Sequence, residues 1–457
     1  MSESKGVKSL LTYQVWIFVI TFILYAAVHA VRKTIGSVAN PMKQFGYTSE
    51  FLSYMNSTFM LSYSIGMMFT GTLGDRFKPT WVLLVSCLVS AAITSIFGLM
   101  SPQLTSTGMW YLYVIFWIIN GVAQSCVWPA EVKLMSNWFG DGHSGSIYGI
   151  WSANSSVGNI LGIGFTALCF AIWSRDETGI SWAFILPSIF LVFITGLTFV
   201  LPNTRSAAGF EEVASSPDQA SEEVSSNSSN KLSFWAAWCL PGVIRYSLCY
   251  ACIKSINYTL FFWLTPFLES AGHSSGTAYT LTSLNDVGWI FGGLACGFGS
   301  DWMKTRAPFV GLFILISVVP TALMYPCVDS VGLTAIWIIL NGFFAGGAGN
   351  VVASAVCADI GKNDKVRGSA DVTGQVVGIV DGVGALGAAI TQLVVGHLAD
   401  SSWATIFYGL TGMLVVAFIL ISDLVYRETR DWWLQRNSCQ SISEEKVHEI
   451  EVVDVGM

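Results

Sequence analysis

Twelve apolar runs, each of helical length, divide this chain of 457 residues and leave little choice of fold. They fall near 11–37, 51–73, 80–100, 110–131, 146–173, 180–201, 241–268, 277–299, 308–327, 333–354, 369–397 and 403–425. About 20 helical residues cross the hydrocarbon layer of a bilayer. Backbone polar groups inside that layer must be satisfied within the segment, so such runs are read as membrane-spanning α-helices. Only 11% of the residues are charged, against roughly 25% in a soluble domain. The 44 glycines and 18 tryptophans suit the same setting, Gly for close helix packing and Trp for anchoring at the interface. The net charge of −7 owes much to acids in a loop and a tail; it points to no partner, and nothing resembles a nucleic-acid surface. The ten cysteines are scattered over apolar segments. Cys249-x-x-Cys252 has redox or metal spacing but no histidine beside it, so it reads as buried small side chains. No metal or cofactor is expected. The first apolar run is too long for a cleavable signal.

Between the sixth and seventh runs lies a stretch rich in Ser, Glu and Asn, 203–235, which reads as disordered. The expected organisation is an N-terminal six-helix bundle over 1–202, a cytosolic, largely disordered linker over 203–240, a C-terminal six-helix bundle over 241–427 and an acidic cytosolic tail over 428–457. Arg76, Lys78, Lys133, Lys304, Arg306, Lys362, Lys365, Arg367, Arg427 and Arg430 gather on the side shared by both termini, which places that side in the cytosol. The two halves repeat. Gly71–Arg76 (GTLGDR) parallels Gly297–Trp302 (GFGSDW) at an offset of 226 residues, and Val157-Gly158 parallels Val383-Gly384 at the same offset. Internal repeats of this kind place a substrate site at the bundle interface.

Lys254 stands near the middle of the run over 241–268. An ammonium there costs several kcal/mol unless something compensates it, so it marks a functional site. Arg32-Lys33 occupies nearly the corresponding place in the first half, 222 residues before Lys254. Hydropathy alone puts Arg32 near the outer end of its helix, where it could snorkel; the repeat instead sets the two cations face to face across a pseudo-two-fold axis. A phosphate monoester carries about −1.5 to −2 at neutral pH. Arg offers it a planar fork and Lys a compact charge. A site holding two like charges is strained when empty, which favours swapping one anion for another. His29 shares a helix face with Arg32 and either contacts the anion or packs. Asp286 and Asp381 either pair with Lys254 or Lys33 in the empty site or take protons. Tyr25, Tyr63 and Tyr258 could hydrogen-bond a sugar.

The segment Gly71–Arg76 matches the G-x-L-x-D-R signature of the major facilitator superfamily, and its second copy adds Asp301, Lys304 and Arg306. Gly71, Asp75 and Arg76, with Asp301, Lys304 and Arg306, are the candidate gating residues: charges at helix ends that lock the cytosolic mouth when it closes. Asn120–Phe139 (NGVAQSCVWPAEVKLMSNWF), YAAVHAVRKT in helix one, TLTSLNDVGWIFGGLACGFGSD in helix eight and IVDGVGALGAAI in helix eleven resemble the organophosphate:phosphate antiporter family. The resemblance runs from about residue 14 to 426 and is greatest to the eukaryotic sugar-phosphate exchangers. It implies an all-α membrane protein with twelve transmembrane helices in two pseudo-symmetric six-helix bundles. It implies that Arg32 and Lys254 bind the substrate phosphate, with Lys33 as an accessory cation. Trp128, Asn154 and Ser155, in the fourth and fifth helices, join the candidate substrate-binding residues. The sequence departs from the bacterial members at Ser155, where they carry a histidine, and at Thr259, where they carry an aspartate. Lys254 stands where the bacterial glycerol-phosphate transporter has Arg.

The expected function is antiport of an organic phosphate ester (a sugar phosphate or glycerol-3-phosphate) against inorganic phosphate by alternating access. The protein would sit in the endoplasmic reticulum or another endomembrane, or in the plasma membrane, with both termini cytosolic. One alternative is a proton-coupled organic anion symporter using Asp286, Asp381 or His29. Another is a non-transporting sugar-phosphate receptor, which should also carry a folded signalling domain; 203–235 is too short and polar for one. No P-loop or nucleophile–base pair suggests an enzyme.

Overall fold

The computed structural model describes residues 2–70, 77–101, 108, 110–139, 150–210, 234–361 and 373–454. Twelve long helices run through it. The first six are α1 (Ser2–Ser37), α2 (Ser49–Thr70), α3 (Pro79–Met100), α4 (Trp110–Trp138), α5 (Asn154–Trp173) and α6 (Glu177–Phe199). The last six are α7 (Val243–Ser270), α8 (Ser275–Met303), α9 (Ala307–Met324), α10 (Val331–Ile360), α11 (Thr373–Leu398) and α12 (Trp403–Asp454). No strand occurs among the described residues. α4 breaks at Cys126, between Trp110–Ser125 and Val127–Trp138, because the Pro129 ring cannot sit against the carbonyl of Ser125 one turn back. α10 contains two π-helical turns, Gly342–Gly346 and Val352–Val356. α12 continues without a break through Asp454, so most of the acidic tail extends the last helix. Residues 211–233 of the expected linker lie outside the described residues.

Nine of these helices are long and apolar enough to cross a membrane by composition alone; α2, α7 and α8 are of spanning length but more polar. Many of their polar residues are buried, among them Ser53, Asn56, Ser57 and Ser64 of α2 and Asn285 and Asp286 of α8. Every residue of α7 from Ile253 to Leu268 is buried, as is every residue from Leu24 to Ala39, which takes in the distal part of α1. A helix enclosed on all sides has no lipid-facing surface to keep apolar.

The helices alternate in direction, so both termini lie on one face. The opposite, distal face is held shut. Lys43 Nζ lies 2.9 Å from Asp400 Oδ1, and Arg175 Nη2 lies 2.7 Å from Glu269 Oε1. Arg175 also donates to Ser275 Oγ, Asn40 to Glu269 Oε2, and Tyr279 Oη to the Ser37 carbonyl. At Gly36 the backbones of α1 and α7 meet: a Cβ there would stand 2.8 Å from the Phe262 carbonyl oxygen. Burial alone would raise the Asp400 carboxyl, but hydrogen bonds from Lys43 and Ser49 outweigh it and hold the group below the ordinary carboxylate range. A lowered folded-state value means that this contribution is present above the unfolded value and is lost as pH falls through the lowered one. The ion pairs between the first six and last six helices, among the described residues, all lie on the distal face.

Arg175→Ala should loosen this face. The pair is partly exposed, so its loss costs about 1–2 kcal/mol, a five- to thirtyfold shift in a balanced equilibrium. The check is a cysteine at Ser37, which is 1% exposed. Its labelling by a membrane-impermeant thiol reagent should rise in the Arg175→Ala background, and unchanged labelling would show that Arg175 does not hold the face shut.

Candidate functional site

A cavity lies between the two sets of helices, enclosing about 930 Å³ including its open mouth. It is walled by α1, α2, α4 and α5 on one side and by α7, α8, α10 and α11 on the other. The glycines of the internal repeat set the geometry. At Gly158 of α5 a Cβ would stand 2.3 Å from the Ala26 carbonyl oxygen and 2.7 Å from His29 Cβ. At its repeat mate, Gly384 of α11, a Cβ would stand 2.6 Å from the Tyr250 ring and 2.9 Å from Lys254 Cδ. In each half a glycine lets a neighbouring helix press on the helix that carries the cations.

Lys254 faces the cavity and is already paired. Its Nζ donates to Asp381 Oδ1 at 2.7 Å and lies 3.3 Å from the Asp381 carbonyl oxygen. The rings of Tyr63, Tyr250 and Tyr258 surround the ammonium, with centroids at 5.7, 5.5 and 5.6 Å. This is a cation–π enclosure of the kind that holds an ammonium with little water. The side chains of Lys254 and Asp381 are 4% and 13% exposed, so each is the other's principal compensation.

Arg32 is close by but does not line the cavity. Its Nε donates to Gln124 Oε1 at 2.8 Å and its Nη1 to Tyr258 Oη at 3.0 Å, while Nη2 is buried without a partner. The guanidinium lies over the rings of Tyr63 and Phe59, 4.9 and 5.3 Å from their centroids. Tyr63 and Tyr258, which do line the cavity, form a layer between Arg32 and the open space. At the repeat offset of 226 residues, the mate of Arg32 is Tyr258, the residue it touches.

Lys33 does not sit beside Arg32 at the cavity. It donates to the Phe261 carbonyl and lies 4.5 Å from that ring's centroid. Neighbouring side chains on a helix do not face each other, and the two cations meet different residues of α7. Asp286 is also set back from the cavity. It accepts from Asn159 Nδ2 at 2.6 Å, and Asn159 Oδ1 accepts from His29 Nδ1 at 3.0 Å. Asp286 therefore serves a buried chain that reaches the cavity at His29 and Asn159 and does not pair with Lys254.

Of the candidate substrate-binding residues, Tyr25, His29, Trp128, Asn154, Ser155, Tyr258 and Asp381 line the cavity. Tyr25 packs between His29 and Trp128, with centroids 4.9 and 4.8 Å away. Asn154 is fully buried and its amide has no hydrogen-bond partner. Tyr250, Asn159, Asn257, Trp289 and Asn350 also line it and were not anticipated. Tyr250 lies one turn before Lys254, a spacing that could have found it. Asn350 stands between the two π-helical turns of α10, and such turns recur at functional sites.

The gating residues are only partly visible. Gly71, Asp75 and Arg76 lie outside the described residues. Arg306 pairs with Asp301 and, at 2.8 Å, with Asp359, and Glu428 accepts from the backbone N–H groups of Arg306 and Ala307. Those partners all belong to the last six helices, so among the described residues Arg306 does not bridge the two sets. Lys304 ends α8 in a left-handed conformation, φ 56°.

The chain belongs to the Major Facilitator Superfamily, whose family model matches residues 21–370. Sugar phosphate exchanger 3 of Bos taurus is 33% identical over 466 residues, covering 90% of this chain and 93% of that protein. Glucose-6-phosphate exchanger SLC37A2 of Mus musculus is 29% identical over 475 residues, covering 91% and 93%. Among solved structures, a bacterial homolog of the human lysosomal transporter Spinster, inward-facing and unoccupied, aligns with a TM-score of 0.63 at 14% identity, covering 92% of this chain and 98% of that one. A D-xylose-proton symporter aligns with a TM-score of 0.67 at 14% identity, covering 90% and 97%. At that identity the likeness is one of fold.

The pairing of Lys254 makes a directional prediction. A bound anion must displace Asp381, and leaving one member of a buried pair unmatched costs about 3–5 kcal/mol. Asp381→Asn removes the competitor, so binding of inorganic phosphate should tighten by about tenfold or more, read by isothermal titration or the half-saturating phosphate concentration. Weaker or unchanged binding in Asp381→Asn would mean that Asp381 is no competitor.

Proposed function

We propose that this protein is a secondary transporter that exchanges a sugar phosphate for inorganic phosphate by alternating access. The observation that carries the reading is Lys254, a buried ammonium in the wall of the cavity, held by a carboxylate that an arriving phosphate would displace. Arg32, with a vacant Nη2 behind the Tyr63–Tyr258 layer, supplies the second cation. Together the two nearly neutralise a divalent ester. The amides and hydroxyls of Asn154, Ser155 and Asn257, with the Trp128 ring, suit the polyol end of the same molecule. The names of the relatives support this substrate class. With the distal face closed and the cavity opening toward the termini, the state described faces the cytosol if the basic residues orient the chain as they do in other membrane proteins.

In this reading exchange follows because Asp381 compensates Lys254 in the empty site but Arg32 meets only the neutral Gln124 and Tyr258 among the described residues, whereas a bound phosphate would answer both cations. Counterflow in phosphate-loaded proteoliposomes is the test, against glucose-6-phosphate, glycerol-3-phosphate, phosphoenolpyruvate and neutral glucose. Labelled phosphate should exchange for a sugar phosphate and not for glucose. Lys254→Ala should abolish exchange while the protein remains folded in the membrane, and Lys254→Arg should keep part of it. Normal exchange in Lys254→Ala would sink the proposal. A pH gradient across phosphate-free vesicles should drive little uptake; strong uptake lost in Asp381→Asn would favour the proton-coupled symporter.

A further inference from the structure

A buried acid stands apart from this site. Glu131 lies in the half of α4 that follows the break, among Val127, Ala130, Leu134 and Met135, with none of its surface exposed. Neither carboxyl oxygen has a hydrogen-bond partner. The other two acids within the bundle are provided for: Asp381 holds Lys254, and Asp286 accepts from Asn159. α1 and α3 pack against this part of α4. They turn two titratable groups toward Glu131, Tyr25 from α1 and Cys87 from α3, and among the described residues no cation. Among the described residues, an ionised carboxylate enclosed in this way would give up its hydration for no donor and no counter-charge. That penalty far exceeds the cost of burying a neutral acid with an unmade hydrogen bond.

Glu131 is also next to the cavity wall. Trp128, one turn earlier on α4, and Tyr25, which faces Glu131, both line the cavity and pack ring to ring at 4.8 Å. Water in the cavity is thus separated from the carboxyl by one layer of side chains, and that layer belongs to the substrate site.

We propose that Glu131 is a proton-binding site and that the distal-closed conformation forms only with its proton in place. The proton comes from hydronium in the cavity, adds to one carboxylate oxygen as the Tyr25–Trp128 layer closes, and returns to water when the layer opens. The consequence for transport rests on the exchange reading above; the protonation itself does not.

Two measurements on the full-length protein test this. The infrared difference spectrum between the parent chain and Glu131→Gln should contain the carbonyl stretch of a neutral carboxylic acid free of hydrogen bonds. A difference showing only carboxylate bands would overturn the proposal. The second is labelling of Ser37→Cys by an impermeant thiol reagent as a function of pH. As Glu131 ionises the distal face should open, and labelling, divided by that of a freely exposed cysteine to remove the thiol's own ionisation, should rise by up to about tenfold per pH unit, the limit for one required proton. Glu131→Gln should show no such rise, and Glu131→Asp, which keeps the acid, should show it. Labelling profiles that coincide in the parent and Glu131→Gln would equally overturn it. Phosphate exchange at equal pH on both sides should lose its alkaline fall in Glu131→Gln. A protein that exchanges no phosphate while passing the first two measurements would refute the transport reading and leave the proton site standing.

Discussion

A charge cannot be left alone inside a bilayer, and the centre of this molecule is organised around that constraint. Lys254 is held by one carboxylate and three tyrosine rings, and these fix where α7, α11 and α2 come together. Removing water from the ammonium strengthens every interaction it makes, since the local dielectric is low. The same enclosure makes the ammonium responsive to any anion that enters, because the alternative partner, Asp381, is a single side chain whose exposure to the cavity is small.

The tyrosine layer has a related role. Tyr63 and Tyr258 each face both cations, and Tyr258 accepts from Arg32. Arg32 comes from the first half of the chain and Lys254 from the second, so the aromatic layer is the place where the two halves sense one another. An anion that drew both cations inward would have to part these rings, and would thereby change the contact between α1 and α7. Binding and rearrangement are linked through shared atoms, and no longer pathway needs to be invoked.

Much of this could be read from the sequence, and the rest failed for identifiable reasons. The twelve helices, the repeat and the position of Lys254 follow from length, spacing and charge, which act along the chain. The repeat even marks Gly158 and Gly384, two points where a neighbouring helix presses closely on the helix that carries a cation. What could not be read is direction around a helix axis. Arg32 and Lys33 are adjacent, and nothing in their spacing says which turns to the cavity. Asp286 and Asp381 look alike as lone acids in apolar runs; only packing pairs one with Lys254 and commits the other to Asn159. Glu131 passed unnoticed because its run also contains Lys133, so it reads as part of a polar helix end. Tyr250, Trp289 and Asn350 are neutral residues that become a wall only through the assembly of four helices.

The polarity of α2, α7 and α8 has a consequence for how the chain is made. A segment entering the bilayer is sorted by its own side chains, and these three are less apolar than their neighbours. Ser57 and Ser64 of α2 donate to the carbonyls of Ala389 and Gly382 in α11, which emerges more than 300 residues later. Until then that face of α2 meets lipid or transient partners. Biogenesis is therefore cooperative across the whole length of the protein. A truncation or a slow step before α11 leaves an early helix without the surface that makes it stable in the membrane, so quality control will be most sensitive at the opposite end of the chain from the fault.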